Sequence, residues 1–489
     1  MTGIKVVVRE GALRGRLPVL ESARTCVGAC ALAAAELGAL RAGLPEAPTV
    51  RVDDGAVAAA FLSERHLLIN GRAPVTFAPL SRFWRTADGW VRTHANYPHH
   101  RARLLAALGV PDDVAAVEAA LAERSALEVE ETVYAAGGLA VALRTPGEWA
   151  AHPQAAEVAK RPLIERGRLD TARARAFAPV DTSPLLPAAG LRVLDLTRVL
   201  AGPVATRTLA LLGADVLRVD APHLPELPDQ HADTGFGKRS ATLDLATDRR
   251  TFEELLGQAD VVVTGYRPGA LDRFGLSPEA LAERRPGVVV AQLSAWGAYG
   301  PWAKRRGFDS LVQAATGIAV LEGSAERPGA LPAQVLDHGT GYLLAAAVLR
   351  ALIEQSREGG SRFVRLALAR TARWLVADGS AVGTMDGMDG MDGMDGMDGM
   401  DGMDGTDGTD GTDGTDGIDR MDRMDRGAGT DVGGVTNVPY EGPGAWLSET
   451  DSALGRLRYA LSPVSFEGGP VDWGRAPVPW GTDAARWAA

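Results

Sequence analysis

The chain of 489 residues has little cysteine and no excess of positive charge. Its two cysteines, Cys26 and Cys30, are four residues apart in an alanine-rich stretch typical of a helix, where a disulfide has poor geometry. We therefore predict two reduced, small core residues. The formal net charge of -11 and the scatter of the basic residues disfavour nucleic acid, which is a polyanion, as a partner.

Segments for secretion or membrane insertion are missing as well. Met1 is not followed by a basic stretch and an apolar core of the kind that leads a chain into the secretory pathway. No apolar run of spanning length is free of charge. We therefore expect a protein of the reducing cytoplasm without a membrane partner.

Well-known chemical motifs are absent too. The loop "LTRVLAGPVAT" has one glycine and a proline where a dinucleotide site requires G-x-G-x-x-G. The sequence has no Walker A loop, no G-x-S-x-G elbow and no Cys/His cluster with metal-ligand spacing. A nicotinamide enzyme is therefore disfavoured and no metal site is predicted. The neighbouring His99 and His100 are interpreted as surface or core polar groups.

What the sequence does contain, from about Leu191 onward, is the alternation of an α/β domain. "LRVLDL" and "ADVLRVD" are typical of buried strands on either side of the amphipathic helix "PVATRTLALLG". Further strands are indicated by "ATLDL", "ADVVVTG", "GVVVAQLSAWG" and "RFVRLAL", with helices of crossover length between them. The pattern predicts an open, parallel, Rossmann-like sheet.

A smaller α+β unit is indicated earlier in the chain. "FWRTADGWVRTHANYPHHRARLLAALG" predicts a strand, a turn at Asp88 and Gly89, a second strand and a helix. A further helical stretch and "AAGGLAVALRTPGEWAAHPQ" follow it.

Two repeats stand out. "LPVLESARTCVGACALAAAELGAL" and the strand after it can be laid on "PAQVLDHGTGYLLAAAVLRAL" and its strand, which places Glu21 on Asp337. The alternative is that alanine-rich helices resemble each other by composition. From Met385 to Asp425 a triplet repeat carries Asp at every third position, which predicts a disordered acidic linker rather than a calcium β-helix or collagen.

The strings in the second half of the chain resemble a known family. They are "GLRVLDLTRVLAGPVATRTLALLGADVLRVDAP", "GKRSATLDL", "ADVVVTGYRPGALDRFGL", "LSAWGAYGPW", "RGFDSLVQAATG" and "LDHGTGYLLAA". In this order and spacing they are similar to the class III CoA-transferases, the CaiB/BaiF family that includes formyl-CoA:oxalate CoA-transferase. The small-domain strings resemble that family too, but they precede the large domain instead of following it.

The altered order leads us to predict a fused, partly deleted tandem. The predicted parts are a degenerate helix-strand-helix remnant of a first large domain (1–60), a small α+β domain (61–170), a linker (171–189), a large α/β domain with Asp337 (190–380), the disordered repeat (383–430) and a tail packing on the large domain (431–489).

The resemblance implies that coenzyme A is transferred between an acyl-CoA and a carboxylic acid, with both as substrates and no permanently bound cofactor. It identifies Asp337 as the nucleophile that forms an aspartyl anhydride and then an aspartyl-CoA thioester. From the residues alone, a helix cap is the favoured interpretation of Asp337, because Asp is a preferred N-cap residue; the resemblance favours the nucleophile. We expect Gly339 and Gly341 to leave room for the thioester, and the amides of the helix start to stabilise an oxyanion.

The family's CoA contacts fall on a defined set of residues. They are Leu200, Ala201, Leu243, Asp244, Gly265, Tyr266, Arg267, Arg273, Arg306, Phe308 and Asp309. Among them, Arg273 is the residue expected on the CoA phosphates, because a guanidinium binds phosphate through two hydrogen bonds. Lys304 and Arg305 are interpreted as solvated surface charges.

Other activities stay open at this stage. Family racemases use a histidine at the position of Phe308, and because phenylalanine exchanges no proton, racemisation is disfavoured. The family's glycine-rich loop over the nucleophile has no clear counterpart, and Ala221 replaces an arginine that contacts adenine. A catalytically silent CoA-binding scaffold is therefore the alternative. The sequence does not specify the donor and acceptor acids. The resemblance implies an interlocked homodimer, and for a fused chain the alternative is a pseudo-dimer within one chain.

Overall fold

The structure, a computed structural model, describes residues 3–378 and 435–488, so the triplet repeat lies outside the described residues. Within the described ranges the strands form one sheet of seven strands, one of four and two of three. In chain order the strands are β1 Ile4–Glu10, β2 Val50–Asp53, β3 Leu68–Ile69, β4 Phe83–Arg85, β5 Trp90–Thr93, β6 Ala140–Ala142, β7 Glu165–Arg168, β8 Arg192–Leu196, β9 Asp215–Asp220, β10 Arg239–Thr242, β11 Val261–Thr264, β12 Val289–Ser294, β13 Arg362–Ala367, β14 Val435–Pro439, β15 Leu447–Ser452, β16 Gly455–Ala460 and β17 Ser465–Phe466.

The helices connect and cover these sheets. In chain order they are α1 Val19–Ala42, α2 Asp54–Phe61, α3 Ser63–His66, α4 Pro98–Leu108, α5 Val114–Ala122, α6 Ala126–Ala135, α7 Pro146–Ala150, α8 Pro153–Ala159, α9 Ala201–Leu211, α10 Pro228–Thr234, α11 Arg249–Leu256, α12 Pro278–Arg284, α13 Asp309–Ala315, α14 Ile318–Leu321, α15 Val335–Glu358 and α16 Leu368–Asp378.

The seven-stranded sheet is the centre of the large domain. Its order is β10-β9-β8-β11-β12-β13-β7, and its strands pair in parallel except for the edge strand β7, which is antiparallel. Strands β11 and β12 are rich in valine and almost wholly buried, as expected where helices cover both faces of a parallel sheet. The strand order reverses beside β8, as in Rossmann folds, so the predicted fold class is confirmed.

The small domain has the predicted α+β composition. Strands β4, β5 and β6 form an antiparallel sheet, and α4, α5 and α6 pack on it around Trp84, Leu104 and Val129. The strand, turn, strand and helix expected between Phe83 and Leu108 are all present.

The two ends of the chain share two sheets. Strand β1 lies between β14 and β2, in parallel with both, and β17 pairs with the other edge of β2. Strand β16 pairs with both β15 and β3. The tail also reaches the large domain, where Trp487 is buried in the apolar core beside Leu255. The first and last parts of the sequence therefore fold together.

Helices α1 and α15 pack against each other and have matching geometry. Both contain 24 residues, and each is followed by a glycine with positive φ, Gly43 and Gly359. They begin after Pro18 (φ -74°, ψ 59°) and Gln334 (φ -77°, ψ 65°), so Glu21 and Asp337 are each the third residue of their helix. This is the register in which the sequence repeat places Glu21 on Asp337.

Helix α1 is a core element despite its apolar composition. It is long and apolar enough to cross a membrane, but 67% of its most apolar window is buried inside the fold. Cys26 and Cys30 are free and buried, as predicted. Glu21 is exposed on the helix surface.

Candidate functional site

A cavity of about 220 Å³ lies beside the loop that follows β8, at the carboxyl ends of the parallel strands. Such positions, where the strand order reverses, are the usual ligand sites of open α/β sheets. Three separate parts of the chain line the cavity. Among the lining residues are Glu64 and Arg65 of α3, Phe77, His94, Asn96 and Tyr97 of the small domain, and Leu200, Gln230, Phe308, Asp309, Gln334 and Asp337 of the large domain.

Asp337 contributes its carboxylate to this cavity. Gln334 is the N-cap of α15, and the Asp337 side chain makes no capping bond because Asp337 is already the third residue of the helix. Within the described residues no group hydrogen bonds to the carboxylate, and the residue as a whole is 6% exposed. The interpretation of Asp337 as a helix cap is therefore wrong, and its carboxylate is free to meet a ligand.

Asp309 of α13 serves the start of α15 instead. One of its oxygens accepts a hydrogen bond from the Asp337 amide at 3.0 Å, and the Leu336 amide also bonds to this carboxylate. The Gln313 side chain donates to the other oxygen. These helix-start amides are therefore occupied, which corrects the expectation that they stabilise an oxyanion.

Two carboxylates placed so close together in a buried site affect each other's ionisation. Burial raises the pKa of Asp337 well above its usual value, and the negative charges of Asp309 and Glu64 raise it further. Burial also raises the pKa of Asp309. The Asp337 carboxylate is therefore poorly stabilised, which is a property of a reactive nucleophile.

Of the two glycines after Asp337, only Gly341 is required by helix packing. A Cβ on Gly341 would lie 2.6 Å from the carbonyl oxygen of Ala201 and 2.9 Å from the Val204 side chain, so glycine allows α15 to approach α9. A Cβ on Gly339 would face Cys26 of α1 at 3.4 Å. Neither glycine opens space for a thioester, contrary to our expectation.

Several predicted contact residues are at or beside the cavity. Leu200 and Phe308 line it together with Asp309, and Ala201, the first residue of α9, is buried next to Leu200. Phe308 stacks on His94 of the small domain, with ring centroids 3.7 Å apart and planes nearly parallel. The small domain therefore supplies the imidazole of His94, which lies against Phe308.

Arg267 and Arg306 line a second cleft, of about 300 Å³, between the large domain and the end of α6. Lys304 and Arg305 line it as well. Arg305 is paired with Glu130 at 3.2 Å and Glu131 at 2.6 Å and is only 18% exposed, so it is not the solvated surface charge that the sequence suggested.

The remaining predicted contacts lie outside both cavities. Leu243 is part of the apolar core, and Asp244 accepts a hydrogen bond from the Ala246 amide just after β10. Arg273 stacks on the ring of Phe274. Gly265 lies beside Thr197, and Tyr266 lines a separate cleft with Asp272 and Ser294. The structure therefore does not bring these residues together with Asp337.

Four functional candidates escaped the sequence analysis: Glu64, Arg65, His94 and Gln334. All four line the cavity, but the first three come from chain segments more than 240 residues away from Asp337, and no local pattern marks them. Only Gln334 has a position that the sequence could indicate, because it lies three residues before Asp337 and is the N-cap of α15. No group of three or more His, Cys, Asp or Glu side chains suited to a metal ion occurs among residues 3–378 and 435–488.

Comparison with known proteins points to one family. Residues 188–396 match the sequence model of CoA-transferase family III. The chain is 37% identical over 214 residues to an acetyl-coenzyme A transferase of Hypoxylon pulicicidum, with 42% of this chain and 36% of that protein covered. It is 35% identical over 193 residues to a formyl-CoA:oxalate CoA-transferase of Streptomyces coelicolor, with 37% and 47% covered.

A solved structure is similar as well. The crystal structure of a CaiB/BaiF family protein from Brucella suis is 30% identical, with 42% of this chain and 57% of that chain covered and a TM-score of 0.35. The chain thus spans between 36% and 57% of the lengths of these three relatives.

Proposed function

We propose that the chain, whose residues 188–396 match the model of CoA-transferase family III, transfers coenzyme A between an acyl-CoA thioester and a free carboxylic acid. One observation carries the proposal. Asp337 presents a carboxylate without a protein hydrogen-bond partner, among the described residues, to a cavity at the carboxyl ends of the sheet strands.

The proposed chemistry is nucleophilic. The Asp337 carboxylate attacks the thioester carbon, the C–S bond breaks, and CoA leaves as a thiolate. The thiolate then attacks the aspartyl carbon of the mixed anhydride and releases the donor acid. The acceptor carboxylate attacks the carbon of the resulting aspartyl thioester and expels the CoA thiolate, which gives an anhydride between Asp337 and the acceptor. The thiolate then attacks the acceptor's acyl carbon, the bond from that carbon to Asp337 breaks, and Asp337 is regenerated with release of the new acyl-CoA.

Gln334 is the best-placed donor for the oxyanions of these steps. Its side chain lines the cavity three residues before Asp337 and makes no hydrogen bond within the described chain. An amide N–H aimed at the developing charge would replace the helix amides that Asp309 occupies.

The negatively charged phosphates of CoA must bind outside the cavity that holds Asp337. A cavity of about 220 Å³ is smaller than most pockets for whole small molecules, so it suits the acyl end and the thioester. Arg103, Arg267 and Arg306 have no carboxylate partner in the described parts of the chain, and burial together with the charges of the other two lowers the pKa of Arg306. Uncompensated guanidinium groups of this kind fit the CoA phosphates, in place of Arg273.

The large-domain and small-domain residues that line the cavity come from the same chain. We therefore favour an intrachain pseudo-dimer over an interlocked homodimer, consistent with the matching geometry of α1 and α15.

The test is to trap the covalent intermediate. Incubation with a panel of acyl-CoA donors, followed by hydroxylamine or borohydride, is expected to modify Asp337, as read by peptide mass spectrometry. Asp337→Ala should abolish the adduct and reduce CoA transfer by at least about a thousandfold, as for loss of other nucleophiles. Glu21→Ala, the same kind of change at the third residue of α1, is the matched control and should have no effect.

Two outcomes would contradict this proposal. Retained turnover in Asp337→Ala would refute the nucleophile. CoA retention without an adduct over the whole panel would instead show a silent CoA-binding scaffold.

A further inference from the structure

Glu64 brings a second carboxylate to the cavity that holds Asp337. It belongs to α3, which lies between α2 and β3 in the chain, and its side chain is 14% exposed. One of its oxygens lies 3.2 Å from Nε2 of His338, the residue that follows Asp337. The N-terminal half of the chain is thereby tied to the first turn of α15.

His338 acts as a fixed support for Glu64. Its ring is completely buried and packs on Phe61 with centroids 5.3 Å apart, and its Nδ1 atom has no hydrogen-bond partner in the described chain. Because only Nε2 is engaged, the imidazole holds one Glu64 oxygen. Among the described residues no other side chain hydrogen bonds to Glu64, and the residue lines the cavity.

The other acidic groups of the cavity are already engaged. Asp309 accepts hydrogen bonds on both oxygens, from the Asp337 amide and from Gln313. Asp229 accepts hydrogen bonds from Arg72 and from the Val75 amide. Apart from Asp337 itself, Glu64 is therefore the carboxylate of this cavity with an oxygen free to take a proton.

The pKa values of the Glu64 and Asp337 carboxyl groups are shifted in opposite directions. Burial raises the pKa of Glu64, but the hydrogen bond and the charge of His338 outweigh burial and lower it overall. The pKa of Asp337 is raised. Two carboxyl groups whose environments separate their pKa values are typical of sites in which each has a different role.

We propose that Glu64 is the general base that activates water against the acyl-Asp337 anhydride, so that the site hydrolyses acyl-CoA when no acceptor acid is bound. The inference rests on the proposed function, because it uses the same nucleophile. Asp337 attacks the thioester and CoA leaves as a thiolate. The water oxygen then bonds to the acyl carbon, the bond from that carbon to Asp337 breaks, and Glu64 takes the water proton, which finally reaches the thiolate. The products are one carboxylic acid and one CoA.

The experiment follows CoA release from acyl-CoA without an acceptor, using a thiol reagent, in water enriched in oxygen-18. The wild-type chain is expected to release CoA continuously. In a single turnover the labelled oxygen should enter the released acid and not Asp337. In Glu64→Gln, steady release should fall at least about a hundredfold, while the acyl group trapped on Asp337 by hydroxylamine accumulates.

Matched variants separate a chemical role from a structural one. Glu21→Gln is the same substitution on an exposed carboxylate of α1 and should leave hydrolysis unchanged. Glu64→Asp keeps the charge but withdraws the oxygen by one methylene, so hydrolysis should fall by a larger factor than transfer to an added acceptor acid.

Failure of this inference is distinguishable from failure of the proposed function. Steady hydrolysis in Glu64→Gln at the wild-type rate, release that stops after one CoA per wild-type chain, or label found in Asp337 would each overturn the role of Glu64. In all three cases Asp337 would still be acylated. Absence of any acylation would instead remove the transferase proposal itself.

Discussion

At the scale of single residues, the function of Asp337 depends on Asp309. Asp309 anchors the first turn of α15 through the Asp337 amide and, by its negative charge, raises the pKa of the Asp337 carboxylate. One side chain thus positions the proposed nucleophile and makes its ionised form less stable. A nucleophile of this kind attacks only when ionised, so activity is expected to rise with pH through the raised pKa of Asp337.

Replacing Asp309 with asparagine is expected to move this pH dependence. Asparagine keeps an oxygen for the Asp337 amide but removes the charge, so the pKa of Asp337 falls and the acidic limb of the kcat/KM profile shifts to lower pH. The measurement is CoA transfer across the acidic range. Asp229→Asn, at a cavity carboxylate already neutralised by Arg72, should leave the limb in place. A limb that stays fixed or moves upward in Asp309→Asn would contradict this coupling.

At the scale of elements, the approach of α15 to its neighbours fixes the site. Gly341 lets α15 come against the start of α9, next to the Leu200 loop that lines the cavity. Gly339 faces α1, where the space allows ordinary contact. The two glycines are two positions apart in α15, but packing requires only Gly341.

Alanine substitutions should therefore have opposite effects at the two positions. Gly341→Ala is expected to destabilise the fold by about 1–3 kcal/mol, because the new Cβ would lie 2.6 Å from a backbone oxygen that cannot easily move. Gly339→Ala should be neutral or stabilising by up to about 1 kcal/mol, since alanine favours the helix. Denaturant unfolding of both variants measures the difference. Equal effects would show that α15 packs differently from the structure.

At the scale of the whole molecule, polar contacts buried between the parts hold the cavity together. Tyr97 of the small domain donates to Glu226 of the large domain, which also binds Arg218. Ser63, before Glu64, donates to Asp233 at 2.9 Å, and Arg207 pairs with the same aspartate. Because these partners lie in one chain, we expect a single chain to form the cavity.

Subunit mixing tests this arrangement. Asp337→Ala removes the nucleophile, and Phe77→Arg places bulk and charge on the small-domain wall of the cavity. Co-expression of the two inactive variants should restore no CoA transfer, since every cavity would carry one defect. Recovery of about a quarter of wild-type activity would indicate that cavities form between chains, as in an interlocked dimer. Each variant expressed alone is the control.

The sequence by itself determined the large domain and the position of the proposed nucleophile. The apolar strands and their crossover helices, through their local periodicity, specify the parallel sheet, and the string around Asp337 marks the start of α15. The repeat likewise placed Glu21 in the register that α1 shows.

Only the tertiary structure decided what surrounds Asp337. Asp309 takes the helix amides, Gly341 serves packing, and Glu64 and His94 reach the cavity from distant segments. These relations depend on how separate elements pack, and packing distances between residues hundreds of positions apart leave no local trace in a sequence pattern. Sequence periodicity determines which residues lie on the same helix or strand. The neighbours of the Asp337 carboxylate are determined by the packing of three separate parts of the chain.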